Sequence, residues 1–177
     1  PLSTDPEVLL YDLQIKDKPG PWEPLCVDGL GAPTAAIMIG EAWNPATGTR
    51  IAPRPEGVVT LACRGAALAK CVEWGYHPWE YADYHQACTR AVRADYCGDG
   101  VPHTIQGVLI HVLDDLGIQV AEPNTEYEVE AEWGPGGAIC VNGESRRLPE
   151  VPLECERPSC GEPFASGGVI QTGVPTN

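Results

Sequence analysis

The sequence predicts an α+β fold: a disulfide-stapled three-helix block packed on a small, mostly antiparallel sheet, with extended arms at both ends. Three observations predict it. Apolar residues recur at helical spacing between residues 63 and 116. Stretches of strand composition lie on both sides of that block. Eight cysteines, an even number, are spread along the chain with no Cys-x-x-Cys among them.

Residues 63–74 and 85–96 read as two cysteine-bearing helices. Leu61, Leu68 and Val72 fall on one side of the first. A third helix is predicted over residues 104–116, where Ile105, Val108, Leu109, Val112, Leu113 and Leu116 form one stripe. Thr104 suits its N-cap and Gly117 its stop.

The predicted strands flank this block. Residues 1–24 form an arm in which Val8, Leu9, Leu10, Tyr11, Leu13 and Ile15 have strand composition, broken by Lys16-Asp-Lys-Pro-Gly-Pro. Such an arm can pair with its own sheet or with a neighbour's sheet edge. Residues 25–141 form the domain. Within it, Ala35-Ala-Ile-Met-Ile reads as a strand, Val58-Val-Thr-Leu as another strand or a lead into the first helix, and Asn44-Pro-Ala-Thr-Gly-Thr as a turn. Glu126-Tyr-Glu-Val-Glu-Ala-Glu-Trp alternates acidic and apolar residues, the pattern of a strand with one wet face. Gly134-Pro-Gly-Gly then turns the chain into Ala138-Ile-Cys-Val, a hairpin. Residues 142–177, rich in Pro, Gly and Ser, read as loop and tail.

Composition narrows the function classes. With 11 Lys and Arg against 25 Asp and Glu, the net charge is −14. Such a surface repels phosphates and anionic lipids, so nucleic acid is not an expected partner. The cysteine spacing disfavours zinc ribbons and thioredoxin-like motifs, and points to four disulfides formed in an oxidising compartment. No apolar run reaches the roughly 18 residues of a membrane span. The chain starts at Pro1 without a signal-peptide pattern, as expected of a processed or trimmed form.

Three motifs carry a family resemblance: Ala62-Cys-Arg-Gly-Ala-Ala-Leu-Ala-Lys-Cys-Val-Glu-Trp-Gly-Tyr, His85-Gln-Ala-Cys-Thr-Arg and Arg93-Ala-Asp-Tyr-Cys-Gly-Asp-Gly. Together with residues 104–117 and 131–141, they resemble the bacterial ADYC domain, over roughly residues 25–141. The resemblance implies an exported, cysteine-rich protein of the bacterial envelope or exterior. It carries no activity, and so no catalytic residue, over to this chain.

If the first two helices run antiparallel, Cys71 pairs with Cys88 across the short connection, and Cys63 with Cys97. The crossed arrangement, Cys63 with Cys88 and Cys71 with Cys97, remains open. Cys26–Cys140 and Cys155–Cys160 complete the expected set. His77, His85, His103 and His111 show no metal-ligand spacing, and no cofactor is expected. Calcium held by scattered carboxylates is the one ion left open, although no calcium-loop spacing occurs. Asp95 is read as a cap on the turn at Cys97.

Three functions follow. The first is a secreted structural subunit of an extracellular or cell-surface filament, a homo-oligomer or polymer joined by strand addition through the N-terminal arm. The second is an extracellular or periplasmic module binding glycan or protein on an aromatic surface of Trp74, Tyr76, Trp79, Tyr81 and Tyr84. The third is a thiol hydrolase using Cys97, with His85 and His103 nearby in sequence. The even cysteine count argues against the third, and the chain is expected not to be an enzyme.

Overall fold

A computed structural model describes residues 7–105, 107–121, 126–143, 147, 153–164 and 167–175. The order is β1 (Leu10–Tyr11), β2 (Gln14–Lys16), β3 (Trp22–Pro24), β4 (Ala36–Ile39), β5 (Ala42–Asn44), β6 (Thr49–Ile51), β7 (Thr60–Cys63), α1 (Ala67–Glu73), α2 (Ala82–Arg93), β8 (His111–Asp114), β9 (Tyr127–Gly134), β10 (Gly137–Val141) and β11 (Ile170–Pro175). The fold is α+β, and every strand pair is antiparallel.

Two apolar cores hold it together. The first lies under the N-terminal sheet, ordered β1-β4-β7. Leu10, Ile37 and Ala62 stand in register across its three strands. With Val8, Ile39 and Trp43 they pack on Ala69 and Val72 of α1. The second core lies between α2 and a four-stranded sheet ordered β10-β9-β11-β8. Ala87, Cys88 and Ala91 give α2 a small-residue face, so it sits close against Ala131, Trp133 and Ile170. Two small hairpins, β2-β3 and β5-β6, complete the structure.

The predicted arm therefore folds onto its own chain. Val8 is buried in the first core, β1 pairs with β4, and β2 pairs with β3. The turn at Asn44 and the hairpin over residues 126–141 form as expected.

The third helix does not form. Within residues 104–116, His111–Asp114 is a strand, β8, hydrogen-bonded to β11. The Asp114 carboxylate supplies the reason. It accepts the backbone N–H groups of Leu116, Ile118 and Gln119 at 2.8, 3.0 and 2.6 Å, closing a turn where a helix would need to continue. The stripe residues Ile105, Leu109 and Leu116 are left 51%, 76% and 48% exposed instead of buried on a helix face. The first helix is shorter than expected, because Cys63 lies in β7, and the second starts and stops three residues earlier, at Ala82 and Arg93, because Ala94 ends it.

The tail is corrected as well. Its end forms β11, which runs between β9 and β8 in the sheet. Gln171 and Thr172 are fully buried there despite their polarity.

The disulfides are Cys26–Cys63, Cys71–Cys88, Cys97–Cys155 and Cys140–Cys160. Of the expected pairs only Cys71–Cys88 forms, where α1 and α2 pack side by side. Cys63–Cys97, its crossed alternative, Cys26–Cys140 and Cys155–Cys160 do not. Cys63 stands on β7, opposite Ala36 of β4, and so reaches Cys26 near the N-terminal sheet. Cys97, past the end of α2, lies by the tail.

Candidate functional site

The end of α2 is the junction of the molecule. Ala94 adopts the left-handed conformation, φ 50°, and the amides of Ala94 and Asp95 return to the carbonyls of Ala91 and Arg90. Those two bonds make a Schellman ending with alanine at the position where glycine is usual. The Ala94 methyl is fully buried in the second core.

Asp95 is fully buried and forms an ion pair with Arg90. It also accepts the Gly100 amide at 3.0 Å, which agrees with its expected capping role. Arg90 donates onward to Thr47 O at 2.7 Å, to the Thr49 hydroxyl at 2.8 Å and to Pro135 O at 3.3 Å. One guanidinium thus joins the β5-β6 turn to the β9-β10 turn.

Tyr96 is buried, stacked on Trp133 with ring centroids 5.1 Å apart. Its hydroxyl donates to Glu130 Oε1 at 2.8 Å. Cys97 is bonded to Cys155. Gly98 follows at φ +72°, where an added Cβ would lie 1.9 Å from the Gly136 carbonyl oxygen. Each residue from 94 to 98 therefore has a steric or bonding reason to be what it is.

Glu130 sits where the strand pattern placed a wet face, yet it is fully buried. Arg147 meets it with two nitrogens, Nε at 2.8 Å from Oε1 and Nη2 on Oε2. Thr172 donates to Oε2 at 2.7 Å, and Trp133 Nε1 donates to the Thr172 hydroxyl at 2.8 Å. Arg147 also reaches Ala91 O at 2.8 Å. This is a fully donated, bidentate carboxylate, the geometry that holds a buried charge. Nothing in the sequence flags it, because Arg147 is 17 residues from Glu130 and lies within the predicted tail.

The predicted site residues do not converge on one place. Cys97 has no thiol to offer, and no free cysteine exists, so the hydrolase reading has lost its nucleophile. Tyr76 is fully buried, donating to Asp114 at 2.8 Å, and burial with that bond raises its pKa. Trp74 is half-buried against the second core. Trp79 is 45% exposed, stacked on His77 at 4.8 Å, with Nε1 donating to Glu7 at 3.0 Å. Tyr81 and Tyr84 are half-buried, and their rings meet edge to face at 6.3 Å. Burial and a bond to Asp115 push the Tyr84 pKa up to about 12. The five aromatics are thus divided between core and surface. Of the arm residues, Val8 and Leu10 join the first core, Tyr11 and Leu13 are half-buried, and Leu9 and Ile15 are exposed.

His85 is fully buried at 3.0 Å from Leu68 O, with its ring 5.1 Å from that of Trp43. Burial lowers its pKa to about 4. A neutral ring that donates from Nε2 to the carbonyl is the state this fits. It is a hydrogen-bonded packing residue in the first turn of α2. Among the described residues, no group of three or more His, Cys, Asp or Glu could hold a metal ion.

One cleft of about 700 Å³ opens between α1, α2 and residues 102–105 and 107–110. Lys70, Arg93 and Arg147 line it, together with Trp74, Val92 and Val108, and among the described residues none of its lining is acidic. The backbone of residues 103 and 104 is tied to the Arg93 carbonyl at the end of α2. Sequence reading missed this cleft, since it treated its outer wall as a helix.

Four disulfides mark a protein folded in an oxidising compartment. Among the described residues no helix is long and apolar enough to cross a membrane. No curated protein and no solved structure matches the chain. A family model, the ADYC domain, matches residues 1–147. That match takes in the first 24 residues, which the motifs alone left outside, and it ends at Arg147, the partner of Glu130. With the residues of its signature forming the junction just described, the chain belongs to the ADYC domain family.

Proposed function

We propose that the protein is a secreted structural subunit that polymerises edge to edge through its N-terminal sheet. The observation that carries this reading is the state of that sheet. Its edge strands are β1 and β7, and each pairs only with β4 among the described residues. An unpaired edge offers backbone donors and acceptors to another strand.

The outer face supports the same reading. Leu10, Ile37 and Ala62 point into the core, so their neighbours point outward. Leu9 and Leu61 are 53% and 45% exposed, with Met38, opposite Leu61, half-buried between the strands that carry them. Joining β1 of one copy to β7 of the next would extend the sheet and line up these apolar faces. Because the two edges differ, the contact is heterologous and leaves an open end for further growth. The arm stays in its own sheet and serves as the edge.

Leu9→Lys and Leu61→Lys test this, since both positions are exposed and charge on an edge blocks pairing. Sedimentation and negative-stain microscopy should find polymers of the native protein and monomers of each variant. A mixture of the two variants should form dimers, because each retains one intact edge. A native protein that stays monomeric at its highest soluble concentration overturns the proposal.

A further inference from the structure

We infer that the exposed face of Trp79 docks an arginine side chain of a basic partner peptide. The inference is independent of assembly through the N-terminal sheet.

The indole is held in place before anything binds it. Residues 77–80 form a tight turn, closed by the Glu80 amide donating to His77 O at 3.0 Å, with Pro78 buried. One face of the indole stacks on the His77 ring, with centroids 4.8 Å apart and planes 19° from parallel. Nε1 donates to Glu7 Oε2 at 3.0 Å, and His77 Nδ1 lies 3.8 Å from the same oxygen. The arm, the turn and the ring stack thus fix the side chain, yet the residue stays 45% exposed. A ring already fixed loses little conformational freedom on binding, and tryptophan is enriched among the residues that carry binding energy.

Electrostatics choose the ligand. The face of an indole is negative, and donating its N–H to a carboxylate pushes further electron density into the ring. A cation over that face also feels the charge of Glu7, whose side chain is 62% exposed. The chain as a whole carries −14, which draws basic partners in and holds acidic ones off. Shape then selects guanidinium over ammonium. A guanidinium is planar, so it lies flat on the open face and extends the stack of His77 and Trp79. A neutral sugar ring also fits against an indole, but it gains nothing from the net charge.

Calorimetric titration of the oxidised full chain with end-capped tetra-arginine, at about 0.15 M salt, tests the inference. Tetra-lysine, of equal charge, and cellohexaose, a neutral sugar chain, are the comparators. Tetra-arginine should bind saturably and more tightly than tetra-lysine, and cellohexaose should not bind. Trp79→Leu leaves the charge unchanged and should weaken tetra-arginine binding about tenfold, the contribution of one cation–π contact. Trp79→Phe, which keeps an aromatic face, should fall between that variant and the native chain. Both variants should keep the native circular dichroism, since Trp79 belongs to neither apolar core. The inference is overturned if tetra-arginine does not bind or if tetra-lysine binds as tightly. It is equally overturned if Trp79→Leu binds tetra-arginine like the native chain, which would mean diffuse attraction to an acidic surface only. Saturable cellohexaose binding that Trp79→Leu removes would overturn it in favour of a sugar.

Discussion

Arg147→Met should be among the most damaging single changes away from the disulfides. Glu130 and Arg147 are 0% and 2% exposed at their side chains. In the variant, Glu130 keeps the hydroxyls of Tyr96 and Thr172 but loses both guanidinium contacts. The Ala91 carbonyl loses a donor as well. Removing one partner of a buried ion pair costs about 3–5 kcal/mol, because the remaining charge has no compensation. For a chain of this size each kcal/mol moves the melting temperature by about 2–4 °C, so a fall on the order of 10 °C is expected. Glu130→Gln should cost a similar amount by stranding the guanidinium. The double variant, Glu130→Gln with Arg147→Met, buries no charge and should recover much of the loss. Urea unfolding of the four oxidised proteins gives the coupling directly, and about 3 kcal/mol is expected. Single variants within about 1 kcal/mol of the native protein would refute the reasoning, because that is the cost of a surface pair.

Two further outcomes follow from the same geometry. His85 has its pKa lowered to about 4 in the fold, against 6.5 when unfolded. Below pH 6.5 the unfolded chain takes up a proton that the folded chain refuses, so stability is complete above 6.5 and falls as the pH drops towards 4. The loss should approach about 3 kcal/mol, and His85→Asn should flatten that part of the profile in urea titrations. Gly98→Ala places a methyl 1.9 Å from the Gly136 carbonyl in a left-handed position, and should cost about 3 kcal/mol or more in the same assay.

Legibility varied with how local the determinants were. The hairpin over residues 126–141 could be read because its alternation and its turn lie within one short stretch. The Cys71–Cys88 pair could be read because α1 and α2 follow one another. The third helix was misread because apolar residues at helical spacing say nothing of what the backbone will pair with. Asp114 closes a turn instead, and β11 arrives from more than 50 residues further along to pair with β8. β11 itself was hidden because its burial comes from a strand on each side, so Gln171 and Thr172 could be polar and still internal. The same reason concealed Glu130, whose acidic-apolar pattern matches a wet strand face until Arg147 and Thr172 are in place. The disulfides beyond the helix pair depend on the tail's path, which composition does not describe. Among candidate sites, the aromatic cluster was visible as a run of residues, but its division between core and surface was not. The cleft beside Lys70 needed the helices and residues 102–105 and 107–110 to be brought together first.

The central claim is that the signature around residues 94–98 is an oxidised structural junction and not reactive chemistry. Non-reducing peptide mapping by mass spectrometry, after alkylation of the native protein, tests it most directly. The account predicts no alkylated cysteine and the four links Cys26–Cys63, Cys71–Cys88, Cys97–Cys155 and Cys140–Cys160. An alkylated Cys97, or Cys97 linked to any cysteine other than Cys155, would contradict it.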